Sequence, residues 1–314
     1  MKPLVIIAGP TAVGKSAVAV SLSKKISGEV ISADSIQIYK HMDIGSAKIT
    51  PEQMEGVPHH LISELEPDEE FNVYIFQKMA KELVGQIHSR GRVPVIAGGT
   101  AFYIQSVLYD IDLTDEEGDP AYRERLYATA REKGNEHVHD MLREVDPDSA
   151  EKIHPNNLKR VIRALEFYRQ TGSTISEHNS AQKEKKSPYD FAYFVLTDKR
   201  DEIYARIDKR VDEMFENGLA GEVRALMEAG YDRSLVSMQG IGYKEVVAFL
   251  SGEESLEETK RVIKQESRHY AKRQLTWLRH ERNACFIDIS EFERDAELVA
   301  EHIFKILTGR GIVS

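Results

Sequence analysis

The feature that most constrains this chain is a glycine-rich segment near its start. Gly9-Pro-Thr-Ala-Val-Gly-Lys-Ser16 fits the pattern G-x-x-x-x-G-K-[ST], and it lies between an apolar run, 4–8, and a stretch with helical spacing, 15–26. In that context the glycines let backbone N–H groups curl around phosphate oxygens, and the helix N-terminus adds partial positive charge. Lys15 supplies a full charge and Ser16 a hydroxyl for Mg²⁺. The segment predicts a bound diphosphate or polyphosphate, held by Gly9, Pro10, Thr11, Ala12, Val13, Gly14, Lys15 and Ser16.

The order of the apolar runs indicates the fold class. Runs at 29–33, 93–97, 191–196 and 285–289 alternate with helical patterns, which include long ones at 204–227 and 260–278. Such alternation indicates a parallel α/β sheet. We therefore expect an α/β fold, a P-loop NTPase-like parallel sheet flanked by helices, built from residues 1–118 and 191–314. Residues 119–190 show only helical patterns, the clearest at 155–172, and predict a helical insertion domain.

Polar residues at the ends of two predicted strands indicate where chemistry takes place. In an NTPase the loop is usually accompanied by an apolar strand that ends in a Mg²⁺-binding Asp. Here the run 93–97 ends in Gly98-Gly99-Thr100, and the only apolar strand closed by a carboxylate ends at Asp34. Ligands gather at the carboxyl ends of parallel strands, so Asp34 and Thr100 should lie beside the loop. That position suits Asp34 as a general base, with a turn or helix-capping role as the alternative.

Composition excludes several classes of protein. With Cys285 as its single cysteine, the chain has neither a disulfide framework nor a cysteine-rich zinc site. No stretch reaches the ~18 apolar residues of a membrane span. The apolar run 4–8 is too short for a secretion signal. We therefore expect a cytoplasmic, monomeric protein without a membrane partner.

Charge is distributed unevenly along the chain. The 52 acidic and 42 basic side chains give a net charge of −10, which by itself argues against a nucleic-acid partner. Residues 121–200 nevertheless carry +2, and 260–282 hold eight basic side chains against two acidic ones. Acidic runs at 64–70 and 110–119 are typical of solvated loops. The basic segments therefore keep nucleic acid open as a partner.

Eight short motifs occur in order and together span nearly the whole chain. They are the phosphate loop, Asp34-Ser-Ile-Gln37-Ile-Tyr39, Met42-Asp-Ile-Gly-Ser-Ala-Lys48, Val57-Pro-His-His60, Gly98-Gly-Thr100, His154-Pro-Asn-Asn-Leu-Lys-Arg160-Val-Ile-Arg163-Ala-Leu-Glu166, Gly240-Ile-Gly-Tyr-Lys-Glu245 and Tyr270-Ala-Lys-Arg-Gln-Leu-Thr-Trp277. This set resembles the tRNA dimethylallyltransferase family, also called tRNA isopentenyltransferases. One difference is Ala101, where the family usually has Gly.

The resemblance implies a reaction and roles for the residues already singled out. The family transfers a dimethylallyl group from dimethylallyl diphosphate to N6 of the adenosine just 3′ of the anticodon in tRNA. The loop would then hold a diphosphate leaving group, neutralised by Lys15 and by a Mg²⁺ cofactor bound through the Ser16 hydroxyl. By resemblance Asp34 takes the proton from N6, and Thr100 positions the leaving oxygen or the amine.

The resemblance also implies how tRNA is held. The adenosine must swing out of the anticodon loop to reach the site, and the anticodon stem-loop would lie on the basic segments. The candidate tRNA-binding residues are Asp34, Ser35, Ile36, Gln37, Thr100, Arg123, Lys159, Arg160, Arg163, Lys272 and Arg273. Arg206 and Arg210, four residues apart, are candidates for diphosphate binding, with ion pairing to Asp208 or Glu213 as the alternative.

Three other functions stay open from the sequence. A phosphate-loop kinase of small molecules would use Asp34 to activate a hydroxyl, but the motifs after residue 150 fit no such kinase. A non-catalytic RNA-binding module is disfavoured by the intact Lys15, Ser16 and Asp34. A prenyltransferase acting on free adenine nucleotides should lack the basic helix expected over residues 152–169. His59-His60 predicts a structural role rather than a metal site, because adjacent residues of a strand face opposite ways. Trp277 has two interpretations, a core anchor or an RNA-stacking ring, of which the core is preferred.

Overall fold

The computed structural model describes residues 2–113 and 119–313. Residues 114–118, which include the middle of the acidic run 110–119 and the expected end of the first core segment, lie outside the described residues. The chain divides into two compact units. The first, called the core unit below, comprises Met1–Leu108 and Ser187–Ser314, and the second, the insert unit, comprises Tyr109–Lys186.

One parallel sheet organises the core unit. Within the described residues its six strands are β1 (Pro3–Ala8), β2 (Gly28–Ala33), β3 (His59–His60), β4 (Val93–Gly98), β5 (Asp190–Thr197) and β6 (Ala284–Asp288), in the spatial order β3-β2-β4-β1-β5-β6. All neighbouring pairs run parallel. With the phosphate loop directly after β1, the predicted P-loop NTPase-like α/β fold is confirmed.

Helices surround this sheet and build the insert unit. Those of the core unit are α1 (Lys15–Ile26), α2 (Pro51–Met54), α3 (Val73–Ser89), α4 (Ala101–Leu108), α10 (Arg200–Glu216), α11 (Leu219–Glu228), α12 (Tyr243–Leu250), α13 (Leu256–Leu278) and α14 (Ala296–Gly309). Those of the insert unit are α5 (Pro120–Lys133), α6 (Asn135–Val145), α7 (Pro147–Lys152), α8 (Leu158–Thr171) and α9 (Ile175–Glu184). None of the helices in the described ranges is long and apolar enough to cross a membrane.

The strand register brings the ends of β1, β2 and β4 together. Gly98 of β4 is level with both Ala8 of β1 and Ala33 of β2. A Cβ atom at Gly98 would lie 2.2 Å from the Ala33 carbonyl oxygen, so only glycine permits this close approach. The residues that follow these strands therefore lie at one edge of the sheet, as the sequence predicts for Asp34 and Thr100.

Packing in the hydrophobic core holds helix α1 in place directly after the phosphate loop. Val18, Leu22 and Ile26 lie four residues apart on one helical face, and all three are buried against the strands and α14. Fully buried strand residues such as Val5 and Ile7 complete the same cluster. Burying each such side chain contributes about 1.5–3 kcal/mol, so this packing fixes the N-terminal end of α1 beside β1.

Two elements differ from the sequence-based prediction. The expected helix 204–227 is two helices, because Gly218 adopts a left-handed conformation with φ of 98° between α10 and α11. Strand β3 is absent from the predicted apolar runs, since two residues give no periodicity, although the interpretation of His59-His60 already assumed a strand there. His59 and His60 lie in it: His59 Nδ1 is 2.8 Å from the Val57 carbonyl oxygen, and His60 Nε2 is 2.8 Å from Glu29 Oε2.

Candidate active site

The phosphate loop has the backbone that its glycines predict. Gly9 needs glycine because a Cβ there would lie 2.7 Å from the Leu196 carbonyl oxygen, and Gly14 adopts a φ of 93° just before α1. Ala12 also has a positive φ, 63°. The Lys15 ammonium donates to the Pro10 carbonyl oxygen at 2.8 Å, so it folds back across the loop. This curled backbone, capped by a helix N-terminus, is suited to an anion.

Two arginines of α10 approach the same loop. Arg206 Nε donates to the Ala12 carbonyl oxygen, and Nη1 lies 2.8 Å from the buried Asp198 carboxylate. Arg206 Nη2 is buried, yet the described part of the chain offers it no hydrogen-bond partner. Arg210 lines the cleft, where burial lowers the pKa of its guanidinium. An unsatisfied guanidinium nitrogen and a second buried cation fit an oxyanion ligand.

The surroundings of Lys15 disfavour its protonated form. Its ammonium pKa is lowered to about 8, chiefly by burial and also by the nearby Arg210, while Asp34 opposes both. Like charges held together without a counter-ion destabilise the protonated form. Binding an anion between Lys15 and Arg210 would relieve that repulsion.

The lowered pKa predicts that diphosphate binds less tightly in alkaline solution. The ammonium is charged below pH 8 and loses its proton above it, so the affinity for inorganic diphosphate should fall as pH rises through about 8. Titration calorimetry across this range measures the effect. Lys15→Arg is the control, because a guanidinium does not lose its proton near pH 8. Any pH dependence that remains in this variant comes from the titration of diphosphate itself. Parallel profiles for the two proteins would contradict the prediction.

Asp34 lies directly after β2 and has one oxygen engaged by backbone. Its Oδ1 accepts from the N–H groups of Ile36 at 2.9 Å and Gln37 at 3.2 Å, which forms a local turn. No residue in the described ranges hydrogen-bonds Oδ2. The turn role and the general-base role are therefore compatible, because each uses a different oxygen.

Gln37 is held by the loop that carries the 42–48 motif. Its side-chain nitrogen donates to the carbonyl oxygens of Ser46 and Ala47, both at 3.3 Å, and Lys48 Nζ donates to the Tyr39 carbonyl oxygen at 2.6 Å. This loop therefore fixes the segment that follows Asp34. Ser35 and Ile36 lie in the same turn, partly exposed.

A carboxylate outside every motif anchors that loop. Glu222 of α11 accepts from the backbone N–H groups of Asp43, Ile44 and Gly45 at 2.9, 2.7 and 3.1 Å, and from the Tyr243 hydroxyl at 2.8 Å. The Tyr243 ring packs so closely on Gly45 that a Cβ there would lie 2.6 Å from Cζ. Glu222 thus connects the 42–48 and 240–245 motifs.

Glu222→Gln should destabilise the protein. An amide has only one acceptor oxygen, so its NH₂ group would face backbone donors that now bind a carboxylate. We expect the free energy of unfolding to fall by about 1–3 kcal/mol. Urea denaturation measures it, with Glu228→Gln on the same helix as the exposed control. Equal stability of the two variants would contradict the anchoring role.

A buried amide joins the phosphate loop to the turn that carries Thr100. Gln274 of α13 accepts from the Thr11 N–H at 2.8 Å and donates to the Gly99 carbonyl oxygen at 3.1 Å. The Thr100 hydroxyl is buried beside Tyr270 of the same helix. Burial raises the pKa of the Tyr270 hydroxyl to about 12, and Asp34 adds to the shift, so Tyr270 stays protonated at neutral pH.

These parts line one cleft of about 760 Å³, within the usual range of ligand sites. The structure brings together the predicted Thr11, Ala12, Gly14, Lys15, Ser16, Asp34, Gln37 and Arg210. The sequence reasoning missed the roles of Tyr270, Gln274 and Glu222. The first two belong to the motif 270–277, whereas nothing local distinguishes Glu222.

The predicted basic residues of α13 are exposed. Lys272 and Arg273 both face solvent, and neither forms an ion pair within ranges 2–113 and 119–313. The prediction that Trp277 belongs to the core is wrong, since 43% of it is exposed. The buried face of α13 carries Ala271, Gln274 and Leu278, and Trp277 lies outside that stripe.

The predicted RNA-binding residues of the insert unit fall into two groups, those with an ion-pair partner and those without one among the described residues. Arg123 and Arg163 hold the fully buried Glu166 carboxylate at 2.6 and 3.1 Å, with nearly half of each side chain still exposed. Lys159 and Arg160 are exposed on α8, and neither has an ion-pair partner among residues with described positions. The paired arginines thus lie on α5 and α8, and α8 also carries the two cations that have no ion-pair partner among the described residues.

Comparisons with known proteins extend over the whole chain. A family model described as IPP transferase matches residues 37–281, and one described as isopentenyl transferase matches 2–69. The tRNA dimethylallyltransferase of Lachnoclostridium phytofermentans is 54% identical over 100% of both chains. That of Acetivibrio thermocellus is 46% identical over 95% of this chain and 96% of its own.

Solved structures agree with these matches. The tRNA isopentenylpyrophosphate transferase of Bacillus halodurans is 43% identical, with a TM-score of 0.74 over 99% of this chain and 98% of its own. A eukaryotic dimethylallyltransferase acting on tRNA is 30% identical, with a TM-score of 0.83 over 99% and 80%. The family model and the full-length relatives confirm the resemblance inferred from the motifs, and this chain belongs to the IPP transferase family of prenyltransferases.

Proposed function

We propose that this protein transfers a dimethylallyl group from dimethylallyl diphosphate to N6 of the adenosine immediately 3′ of the anticodon in tRNA, releasing diphosphate. The names of its relatives support prenyl transfer to tRNA. The observation that carries the proposal is the convergence of Asp34 and Thr100 beside the phosphate loop, at the ends of strands whose register is fixed by Gly98. A carboxylate next to a diphosphate site suits alkyl transfer to an amine.

Each group has a defined role in this reaction. The phosphate loop, Lys15, Arg206 and Arg210 bind the diphosphate and stabilise the charge that develops as the allylic C–O bond breaks. N6 attacks the first allylic carbon, and the free Oδ2 of Asp34 accepts its proton. Thr100 positions the leaving oxygen or the amine. Gln274 keeps the Thr100 turn and the loop at a fixed spacing.

The residues at the loop fit a Mg²⁺ ion held largely through the substrate. Ser16 presents an exposed hydroxyl in the first turn of α1. In the part of the chain that the structure describes, no group of three or more His, Cys, Asp or Glu could hold a metal. Mg²⁺ keeps several waters and is commonly bound by substrate phosphates, so Ser16 with the diphosphate oxygens matches its chemistry. When bound, the ion neutralises charge on the leaving diphosphate.

The remaining predicted residues are proposed to bind the anticodon stem-loop. The flipped adenosine would be surrounded by Asp34, Ser35, Ile36, Gln37 and Thr100. The Gln37 side-chain amide, which donates to the Ser46 carbonyl oxygen, would donate to the edge of the base instead. Arg123, Lys159, Arg160, Arg163, Lys272 and Arg273 would contact RNA phosphates. We further propose that the enzyme acts as a monomer in the cytoplasm, where tRNA is modified.

One assay separates this function from its main alternative. The protein is incubated with dimethylallyl diphosphate, Mg²⁺ and unmodified tRNA, and the digested nucleosides are examined by mass spectrometry for prenylated adenosine. Parallel reactions contain ATP with nucleosides, or free adenine nucleotides in place of tRNA. Prenylation of tRNA alone is the expected result. Phosphoryl transfer without prenylation would establish a kinase, and prenylated free nucleotide would establish the other prenyltransferase class.

tRNA affinity should fall steeply as salt increases. Each phosphate contact contributes about −0.7 to −0.9 to the slope of log affinity against log salt. Lys159→Ala or Arg160→Ala should reduce the magnitude of the slope by about one. The control is Lys305→Ala, an exposed lysine of α14 that pairs with Glu301. Filter binding over a salt series measures the slopes, and an unchanged slope in both insert-unit variants would contradict the proposed contacts.

A further inference from the structure

Two aromatic rings are exposed side by side on the core unit. Phe102 of α4 and Trp277 of α13 have ring centroids 6.2 Å apart at an interplanar angle of 62°, and 38% and 43% of these residues are exposed. Single exposed aromatic residues are common and need no explanation. A contacting pair held by two separate helices is a formed apolar surface.

The surroundings of the pair are strongly cationic. Lys272 and Arg273 are exposed on the same half of α13 as Trp277, Arg279 is exposed directly after the helix, and none of the three forms an ion pair with a residue in the described ranges. In the other half of the helix most cations are paired, Arg261 with Glu258, Lys264 with Asp212 and Arg268 with Asp208, whereas Lys260 lies over the Phe215 ring. Unpaired positive charge is therefore concentrated next to the rings.

The two rings also lie close in sequence to residues of the active site. Phe102 comes two residues after Thr100, at the start of α4. Trp277 lies within one turn of Gln274, whose side chain contacts both the phosphate loop and the Thr100 turn. The rings are thus attached to the two elements that position the reacting groups.

We propose that Phe102 and Trp277 form a stacking platform for an unpaired RNA base next to the reactive adenosine, and this rests on the proposed function. An exposed ring pair flanked by free cations matches single-stranded nucleic acid, in which bases stack on rings while phosphates meet Lys and Arg. A second copy of this chain would bring the same cations together, so like-charge repulsion opposes that partner. Extruding one base unstacks its neighbour, and the platform replaces the lost stacking.

The chain carries its own reporter of this contact. Trp277 is its single tryptophan, so tryptophan fluorescence, excited at wavelengths that its 13 tyrosines do not absorb, reports on this site alone. Stacking on a base should quench the emission when unmodified tRNA is added. Dimethylallyl diphosphate alone should not quench it, nor should an RNA duplex without an unpaired loop. Binding of tRNA with unchanged emission would overturn the proposal.

Variants separate stacking from charge. Trp277→Ala should weaken tRNA binding by about 5- to 100-fold without changing the salt slope, because stacking releases no counter-ions. Trp277→Phe keeps a ring and should recover most of the affinity. Phe286→Ala, an equally exposed aromatic on the edge strand β6, is the matched control and should bind as the parent does.

The outcomes distinguish failure of this proposal from failure of the proposed function. Prenylated tRNA together with unchanged affinity in Trp277→Ala would overturn the platform alone. Absence of both tRNA binding and prenylation in the parent protein would overturn the function on which it rests. A changed oligomeric state of Trp277→Ala, with unchanged RNA affinity, would assign the rings to a contact between copies and overturn the platform.

Discussion

Asp34→Asn is expected to reduce the rate of prenyl transfer by about 10²- to 10⁴-fold, the usual contribution of a positioned general base. The amide cannot accept the N6 proton at neutral pH. Its oxygen can still accept from the Ile36 and Gln37 N–H groups, which now bind Oδ1 at 2.9 and 3.2 Å. The turn after β2 is therefore preserved, and the loss belongs to proton transfer.

Single-turnover kinetics with saturating tRNA measure this loss directly. tRNA affinity should remain within about threefold of the parent value, because no phosphate contact is removed. Asp34→Ala removes the turn acceptor as well, so comparing the two variants separates the base from the turn. Near-normal transfer by Asp34→Asn would eliminate the general-base role.

Lys15→Met is expected to lower kcat/KM for dimethylallyl diphosphate by about 10²- to 10³-fold, as removal of a group that stabilises developing charge does. Methionine retains much of the length and removes the charge. The buried position that lowers the pKa of Lys15 to about 8 also makes its charge effective, since little water screens it. The Arg210 charge would remain and would account for residual binding.

Steady-state kinetics and titration with inorganic diphosphate test this prediction together. Lys24→Met is the matched control, because Lys24 lies on the same helix but is exposed and pairs with Glu55. Its kinetic constants should match those of the parent. Parent-like diphosphate affinity of Lys15→Met would contradict this prediction, because the loop backbone with Arg206 and Arg210 would then hold the ligand without the Lys15 charge.

Local sequence patterns were sufficient to predict the strands and the loop that carry the site. The apolar runs predicted β1, β2, β4, β5 and β6, and the glycine pattern predicted the loop between β1 and α1. Asp34 and Thr100 followed from one rule about strand ends. The strand and loop predictions succeeded because each depends on a few consecutive residues, and the roles of Asp34 and Thr100 stay predictions.

Other parts of the site depend on contacts that are distant in sequence. Gln274 binds Thr11 across 263 positions, and Glu222 binds Ile44 across 178. No periodicity or spacing encodes such a pairing, so their roles required the fold. Trp277 was misjudged for a different reason: the sequence allowed both a core and a stacking role, and only the structure shows that the buried face of α13 carries Ala271, Gln274 and Leu278.

The packing of Tyr243 on Gly45 has an evolutionary consequence. A methyl group at position 45 would lie 2.6 Å from the Tyr243 ring, so alanine there requires the ring to withdraw. Withdrawal would take the hydroxyl away from Glu222, which also holds the backbone of the 43–45 segment. Gly45, Glu222 and Tyr243, which are far apart in sequence, are therefore expected to be selected together. A substitution at one of these positions would weaken the attachment of the 43–45 segment unless the other two residues change as well.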